Sequence, residues 1–449
     1  MARQDLREVI ARQIRSGHLV EVSEPVHVVY ELASVAHAIE ERFGAGTLFR
    51  NLDDYPGVSV LSGVFVTYAA VADALEVELP HLKRRILEAM TAPVAPSRSG
   101  KDPLERSISV GQDVDLDEVP IPTHAPRDAG PYVTAGIVAS RDPKSGRMNY
   151  SYHRMLRMDR NHLSMMINPG RHLDDYRLAS EKTDRELPVA VFVGVHPAIM
   201  LAAAMRYEGD ELEIAGSLLG EPIETVPSGE YELPVPAFSE YILEGSIDLS
   251  QRVVEGPMGE FSGLYGAQSE EYLFEVERIS HRQQPIFQTI LPAGVEHKVI
   301  GTSLPREPLL LKSALAVSPE VRDVLIPPYG SGLLAVAVFD PRYEGQAKNV
   351  GMAVLAAYTT IKSVIVVNSD IDISKAEDIA WAVLTRADLQ RDLSVLPHFL
   401  GHPMDPAAVQ GLVTKSVIDA TVLPDSPSLD RVVYEHPADL DRYLPPTAD

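Results

Sequence analysis

At 449 residues the chain exceeds a single ordinary core, so two or three domains are expected. Its 40 Lys and Arg against 64 Asp and Glu leave a formal charge of −24, which excludes nucleic acid or an anionic membrane surface as the main partner. It contains no cysteine, so disulfide frameworks and thiolate metal sites are excluded, and an anionic ligand would need a local arginine or a metal.

The N-terminal stretch MARQDLREVIARQIRSG is charged throughout and lacks the apolar core of a signal peptide, so a cytoplasmic protein is expected. Leu6, Val9, Ile10 and Ile14 follow helical spacing and stop at Gly17. A strand over His18 to Val22 and a helix over Leu32 to Phe43 follow. Strands near Thr47 to Arg50 and Val58 to Val66 come next, then helices over Ala69 to Leu75 and His81 to Met90. This alternation predicts an α/β domain over residues 1–112, with Thr91 to Asp102 (TAPVAPSRSGKD) read as a linker.

From 113 to 304 the pattern is mainly short strands: Val133 to Ser140, Asn149 to Met158, Leu163 to Ile167, Val189 to Val195 and Phe274 to Arg278. The most apolar run, Leu187 to Met205, contains Pro188, Gly194, His196 and Pro197. It reads as a buried strand, a turn and a helix starting at Pro197, and not as a membrane span. Residues 305–449 return to α/β character, with strands at Leu333 to Phe339 and Ser363 to Val367 and helices at Asn349 to Thr360 and Lys375 to Thr385. A Pro- and Asp-rich tail starts at Pro424.

No Walker loop, G-x-G-x-x-G, H-E-x-x-H or G-x-S-x-G occurs, which argues against the corresponding nucleotide, zinc and serine chemistries. What remains is polar residues in apolar surroundings. In NYSYHR, strand alternation places Asn149, Ser151 and His153 on one face and Tyr150, Tyr152 and Arg154 on the other. NPGRH, residues 168–172, follows an apolar strand, and Glu208 to Glu213 carries four acids in six residues, which a helix N-terminus would equally favour. Asn, His and Glu form a plausible donor set for a hard divalent ion, although spacing alone does not bring them together. VVEGPMGEFSG, residues 253–263, pairs two glutamates across a Gly-Pro and a second Gly. This is either a charged turn or a rigid loop aiming Glu255 and Glu260 at a substrate.

Together these segments resemble the UbiD family of reversible decarboxylases that use prenylated FMN. The resemblance runs over most of the chain. It rests on N-x-S-x-x-R at Asn149 to Arg154, His172, Glu211 ahead of Ala215-Gly216, and E-G-P-x-G-E at Glu255 to Glu260. S-D-I-D-I at Ser369 to Ile373 and W-A-V-L-T-R at Trp381 to Arg386 complete it. It implies an N-terminal α/β domain, a central split β-barrel carrying the flavin, and a C-terminal α/β domain that serves oligomerisation and caps the substrate.

The resemblance also implies roles. Asn149, His172 and Glu211 would hold Mn²⁺ with K⁺ nearby, and the metal would bridge to the cofactor phosphate. Arg171, Met205 and Lys362 would join Asn149, Arg154, His172 and Glu211 around the cofactor. Arg154, Glu255 and Glu260 would form the catalytic network, with Glu260 as proton donor. Phe261, Glu296, His297, Ile300, Arg306 and the segment from Leu396 to His398 would face the substrate.

The expected reaction is decarboxylation, releasing CO₂ from an aromatic or heteroaromatic (or α,β-unsaturated) carboxylic acid, with a flavin prenyltransferase supplying the cofactor and a homodimer or homohexamer as the assembly. The competing readings are a metal-assisted two-carboxylate hydrolase and a non-catalytic flavin-binding subunit.

Overall fold

The computed structural model describes residues 3–182, 186–402, 404–426 and 432. Near the N-terminus, Asp5 caps the helix Leu6–Ser16 by accepting from the Arg7 amide at 3.1 Å, and Gly17 ends it in the left-handed conformation. Leu6, Val9 and Ile10 form its buried stripe. The first sheet runs Leu19–Val22, Gly46–Phe49, Ser59–Ser62 and Ile286–Thr289 in order. Its last strand comes from far along the chain and lies parallel to Ser59–Ser62, so the N-terminal unit is completed by the central one.

The central sheet has seven strands. Six follow the order His162–Met165, Ser269–Arg282, Tyr241–Glu255, Glu186–Val193, Ile137–Arg141 and Met148–Tyr152, all antiparallel; Arg106–Val110 pairs with the far half of Ser269–Arg282. The hydrogen-bonded order has two ends. The long hairpin Tyr241–Glu255/Ser269–Arg282 was the largest omission from the sequence reading, which found only Phe274 to Arg278. The cause is the irregularity between Asp248 and Arg252, where the register shifts and Ser250, Gln251 and Arg252 face solvent.

Three further sequence assignments change. The expected linker contains a short strand, Ser97–Arg98, parallel to Glu224–Thr225. Arg106–Val110, placed by sequence in the first block, belongs to the central sheet. The strand expected over Asn149 to Met158 breaks after Tyr152 and resumes only at Met155–Leu156. The apolar run resolves as anticipated into the strand Glu186–Val193 and the helix Pro197–Ala204, which His196 caps by accepting from the Ala198 amide. Among the described residues no helix is long and apolar enough to cross a membrane.

The C-terminal sheet runs Asp323–Leu325, Leu334–Val338, Ser363–Val367, Leu412–Ala420 and Leu393–Leu400, its three inner strands parallel. Helices Glu307–Val317 and Gln346–Ala357 pack together beside it, and Ala376–Arg386 packs against a second, smaller cluster. Apart from Val432, the Pro- and Asp-rich tail lies outside the described residues beyond Ser426.

A buried ion cluster joins the first and central units. Glu240, fully buried, accepts from Arg7 at 2.8 Å, from Arg282 at 3.1 Å and from the Ile286 amide at 3.1 Å, while Arg282 also reaches Asp5 at 2.8 Å. Removing one partner of such a cluster leaves the others desolvated and unpaired. Glu240→Ala is therefore expected to destabilise by about 3–5 kcal/mol, read as a lowered chemical denaturation midpoint.

Candidate active site

The strand Met148–Tyr152 sits at the end of the central sheet, and there the chain gathers a cleft of about 480 Å³. Asn149, Arg154, Arg171, His172, Met205, Glu211, Glu260, His297, Ile300 and Arg306 all line it. The face expected from alternation is realised as a hydrogen-bond chain. Asn149 Nδ2 donates to Ser151 Oγ at 2.8 Å, Ser151 Oγ meets His153 Nε2 at 3.0 Å, and His153 Nδ1 meets the Met166 carbonyl at 2.7 Å. Burial pushes His153 down to about 4, so the ring is neutral at pH 7. A carbonyl only accepts, so Nδ1 carries the proton and Nε2 accepts from the serine. The serine oxygen then takes the amide N–H of Asn149, which leaves Asn149 Oδ1 facing His172 Nδ1 at 3.2 Å.

His172 opens the helix His172–Ser180, and Glu211 opens Glu211–Leu219, capped by Asp210 at 2.8 Å. Glu211 is buried and accepts from the Tyr150 amide at 2.9 Å. Burial pushes its carboxyl up to about 8 against that amide, and a nearby cation would stabilise its charged form. Oxygen, nitrogen and oxygen donors from three elements thus share one wall, the chemistry of a hard divalent ion. Among the described residues no three His, Asp or Glu side chains gather as a metal cage, so the set depends on the Asn149 amide oxygen.

In the same lining, Arg154 lies just beyond the end of its strand and donates to both glutamates. Its Nη2 reaches Glu255 Oε2 at 2.8 Å and its Nη1 bonds Glu260 Oε1. Glu255 ends the strand Tyr241–Glu255 and is fully buried; Glu260 lines the cleft. The intervening loop is fixed from several sides. The Gly256 amide donates to Tyr132 Oη at 3.1 Å, and the Ala129 amide to the Pro257 carbonyl at 2.8 Å. The Gly259 amide donates to Asp128 Oδ1 at 3.0 Å, and the Gly266 amide to the Met258 carbonyl at 2.8 Å. Gly256 has φ +88°, and a Cβ there would lie 3.1 Å from the Ala267 carbonyl oxygen, so the position requires glycine. Burial raises the Glu260 carboxyl above its usual range; Arg154 opposes the rise and Glu255 adds to it. For Arg154, burial opposes the charge but the two glutamates outweigh it and hold the guanidinium above its usual value.

Other expected residues lie elsewhere. Lys362 does not line the cleft; its ammonium pairs with Asp405 at 2.9 Å. Leu396 packs against the C-terminal core, and His398 is exposed with φ +62° at an irregularity of the edge strand. Phe261 is buried behind the lining, edge-on to His297 at 6.3 Å and to His402 at 5.3 Å, so His402 is the C-terminal residue that meets this wall. Glu296 faces away from the cleft and accepts from the Gly63 and Phe65 amides at 2.8 and 3.1 Å.

The comparisons follow this layout. The family model for 3-octaprenyl-4-hydroxybenzoate carboxy-lyase matches with its N-terminal domain over residues 10–90, its Rift-related domain over 97–295 and its C-terminal domain over 300–420. The chain belongs to the UbiD family. As a UbiD-family protein it is a carboxy-lyase. It is 35% identical over 404 residues to the anhydromevalonate phosphate decarboxylase of Methanothermobacter thermautotrophicus, covering 89% of this chain and 93% of that one. Its structure resembles the UbiD-class enzyme HmfF from Pelotomaculum thermopropionicum in complex with FMN (TM-score 0.92, 34% identity, 98% of this chain and 100% of that one). It likewise resembles an evolved dimeric form of HmfF in complex with prFMN (TM-score 0.89, 33% identity, 98% and 100% covered).

In this UbiD-family chain, sequence reasoning missed Arg206, Tyr152 and Thr134 in the lining. Arg206 directly follows the singled-out Met205, and a cation at the end of an apolar helix was the available signal. Arg171, Arg206 and Arg306 thus join Arg147 and Arg154, so five arginines border the cleft of an otherwise acidic protein. Burial, with Arg306 and Arg206 adding to it, lowers Arg171.

Burial and the neighbouring Glu40 push Glu296 up to about 8, the amides opposing. A carboxyl raised on folding contributes stability that is complete below its unfolded value near 4.5 and is lost as pH rises through about 8. Stability is expected to fall by a few kcal/mol across that window, and Glu296→Gln to flatten the fall, as measured by denaturation midpoints against pH.

Proposed function

We propose that this carboxy-lyase performs reversible, non-oxidative decarboxylation of an aromatic, heteroaromatic or α,β-unsaturated carboxylic acid on prenylated FMN, with Glu260 as the proton donor. The observation that carries this reading is the Arg154 bridge. It places one carboxyl in the cleft, held above its usual range, and a second behind it. The solved relatives in complex with FMN and prFMN support the choice of cofactor.

Loss of CO₂ from an sp² carbon leaves an electron pair with no stabilising neighbour, and bound prenylated FMN supplies the electron sink. The protein binds, orients and protonates. Nη1 and Nη2 of Arg154 donate to the glutamates, and as a cation in the lining Arg154 would orient the substrate carboxylate by charge. As the carbon–carbon bond to the carboxylate breaks, CO₂ leaves and its bonding pair stays behind. The Glu260 O–H then transfers its proton to that carbon, Glu260 becomes a carboxylate, and solvent reprotonates it. In the carboxylation direction the same group takes the proton.

Asn149, His172 and Glu211 would hold Mn²⁺ beside the cofactor phosphate, with K⁺ nearby and Arg171 and Met205 in the same lining. A separate prenyltransferase would supply the cofactor, and the working form would be a homodimer or homohexamer. The substrate would carry a second polar or anionic group. His297 lines the cleft, burial pushes it down to about 4, and its Nδ1 accepts from the Ala293 amide, so its Nε2 bears the proton as a neutral donor. Arg306, anchored on the Ala204 carbonyl at 2.8 Å, adds a cation on the same cleft. Ile300 and Phe261 supply apolar bulk.

Anaerobic reconstitution with prenylated FMN, Mn²⁺ and K⁺ is expected to give CO₂ release, or hydrogen–deuterium exchange at the carboxyl-bearing carbon, from some member of a panel of furoic, pyrrole, indole, benzoic, cinnamic and phosphorylated acrylic-type acids. Glu260→Gln should bind the cofactor yet lose turnover by about 10²–10⁴-fold; full activity would exclude the role. Turnover of simple cinnamic acids alone would exclude the second polar group. His153→Leu removes the chain that orients Asn149 and should weaken Mn²⁺ binding about 10-fold or more, measured by paramagnetic resonance of the free ion.

A further inference from the structure

The central hairpin buries Glu271, an acid that the reaction as described does not use. In the antiparallel pair Tyr241–Glu255/Ser269–Arg282, Glu255 lies opposite Ser269 and Val253 opposite Glu271. Alternate residues share a face, so Ser269 and Glu271 project on the same side as Glu255, which meets Arg154. Glu271 is only 8% exposed and accepts from the Ser269 hydroxyl at 2.7 Å. Glu255 Oε1 is buried without a hydrogen-bond partner.

We propose that Glu271 is the third carboxyl of the Arg154 network, a positioning residue that acts through Glu255 to keep the proton on Glu260. Arg154 pairs with Glu255 and Glu260, and Glu271 acts electrostatically on the same cluster, so full ionisation of the three carboxyls would leave two uncompensated negative charges in a desolvated space. The network therefore retains a proton, and Glu260 is the member that lines the cleft and delivers it. Burial raises the Glu271 carboxyl; the Ser269 hydroxyl opposes, and Glu255 adds to the rise. The other titratable groups acting on this cluster are Tyr132 beside Glu255, Asp128 under the loop and His297 across the cleft; each interacts with Arg154. None of them supplies a second positive charge at pH 7, because burial keeps His297 neutral.

The inference rests on the decarboxylase reading for its consequence, and its test does not depend on turnover. In the full-length protein, the protonated-carboxyl infrared band that disappears in Glu260→Gln reports the Glu260 proton. Its titration midpoint should fall by about 0.5–1 pH unit in Glu271→Gln, which removes one negative charge, and return towards wild type in Glu271→Asp, which restores it. An unchanged midpoint in Glu271→Gln, or an equal fall in Glu271→Asp, overturns the proposal. In the reconstituted enzyme the alkaline limb of kcat should move to lower pH by the same amount with KM unchanged. A wild-type protein that turns over no acid would overturn the decarboxylase reading alone, since the infrared titration still decides the role of Glu271.

Discussion

The active-site architecture turns on one guanidinium held by two glutamates. Arg154 is largely buried, and a buried cation persists only if its charge is met by partners with good geometry. Glu255 meets it from the end of a strand and Glu260 from the loop beyond, so the positions of strand end, loop and cleft wall are set together. A carboxyl in a dry site with one shared counter-ion sits above its ordinary range, and the exposure of Glu260 to the cleft makes that property chemically usable.

The second constraint is electrostatic on a larger scale. A chain with net charge −24 repels anionic ligands at long range, yet the cleft is bordered by Arg171, Arg206 and Arg306. These positive charges are crowded: Arg306 and Arg206 both act to lower Arg171. An anion between them would relieve that repulsion, in keeping with the proposed second polar or anionic group on the substrate. The Asn149–Ser151–His153 chain turns an amide oxygen towards His172, the orientation that the proposed ion site would need. Pre-orientation of this kind lowers the ordering cost of binding.

What the sequence made legible follows from how each feature is encoded. The N- and C-terminal units alternate helix and strand with caps and glycines at the ends, and Gly17 and the Pro197 helix start fall where those signals put them. Asn149, Ser151 and His153 were grouped correctly because strand alternation is local. Arg154 was placed on the opposite face by the same rule. It reaches the cleft instead because the strand ends at Tyr152, a boundary set by tertiary contacts. The hairpin strand Tyr241–Glu255 escaped notice because its polar bulge interrupts the periodicity, and the strand Ile286–Thr289 gave no hint that its partner lay more than two hundred residues earlier. Lys362 and the segment from Leu396 to His398 were carried over by resemblance, which does not specify where a side chain turns: Lys362 pairs with Asp405, and His398 sits exposed at the irregularity of the edge strand.

The placement of the two glutamates also explains why the loop between them must be stiff. Glu255 is sealed in the interior and can affect a substrate only through Arg154, whereas Glu260 must approach the substrate directly in the proposed reaction. A flexible loop would let Glu260 swing towards solvent, where its carboxyl would ionise and its contact with Arg154 would weaken. The ties from Asp128, Ala129, Tyr132 and Gly266 prevent that, and they come from both sides of the loop in sequence. Proton affinity at Glu260 is thus a property of the folded central domain as a unit: the seven-stranded sheet fixes the loop, the loop fixes the distance to Arg154, and that distance sets how firmly the proton is held.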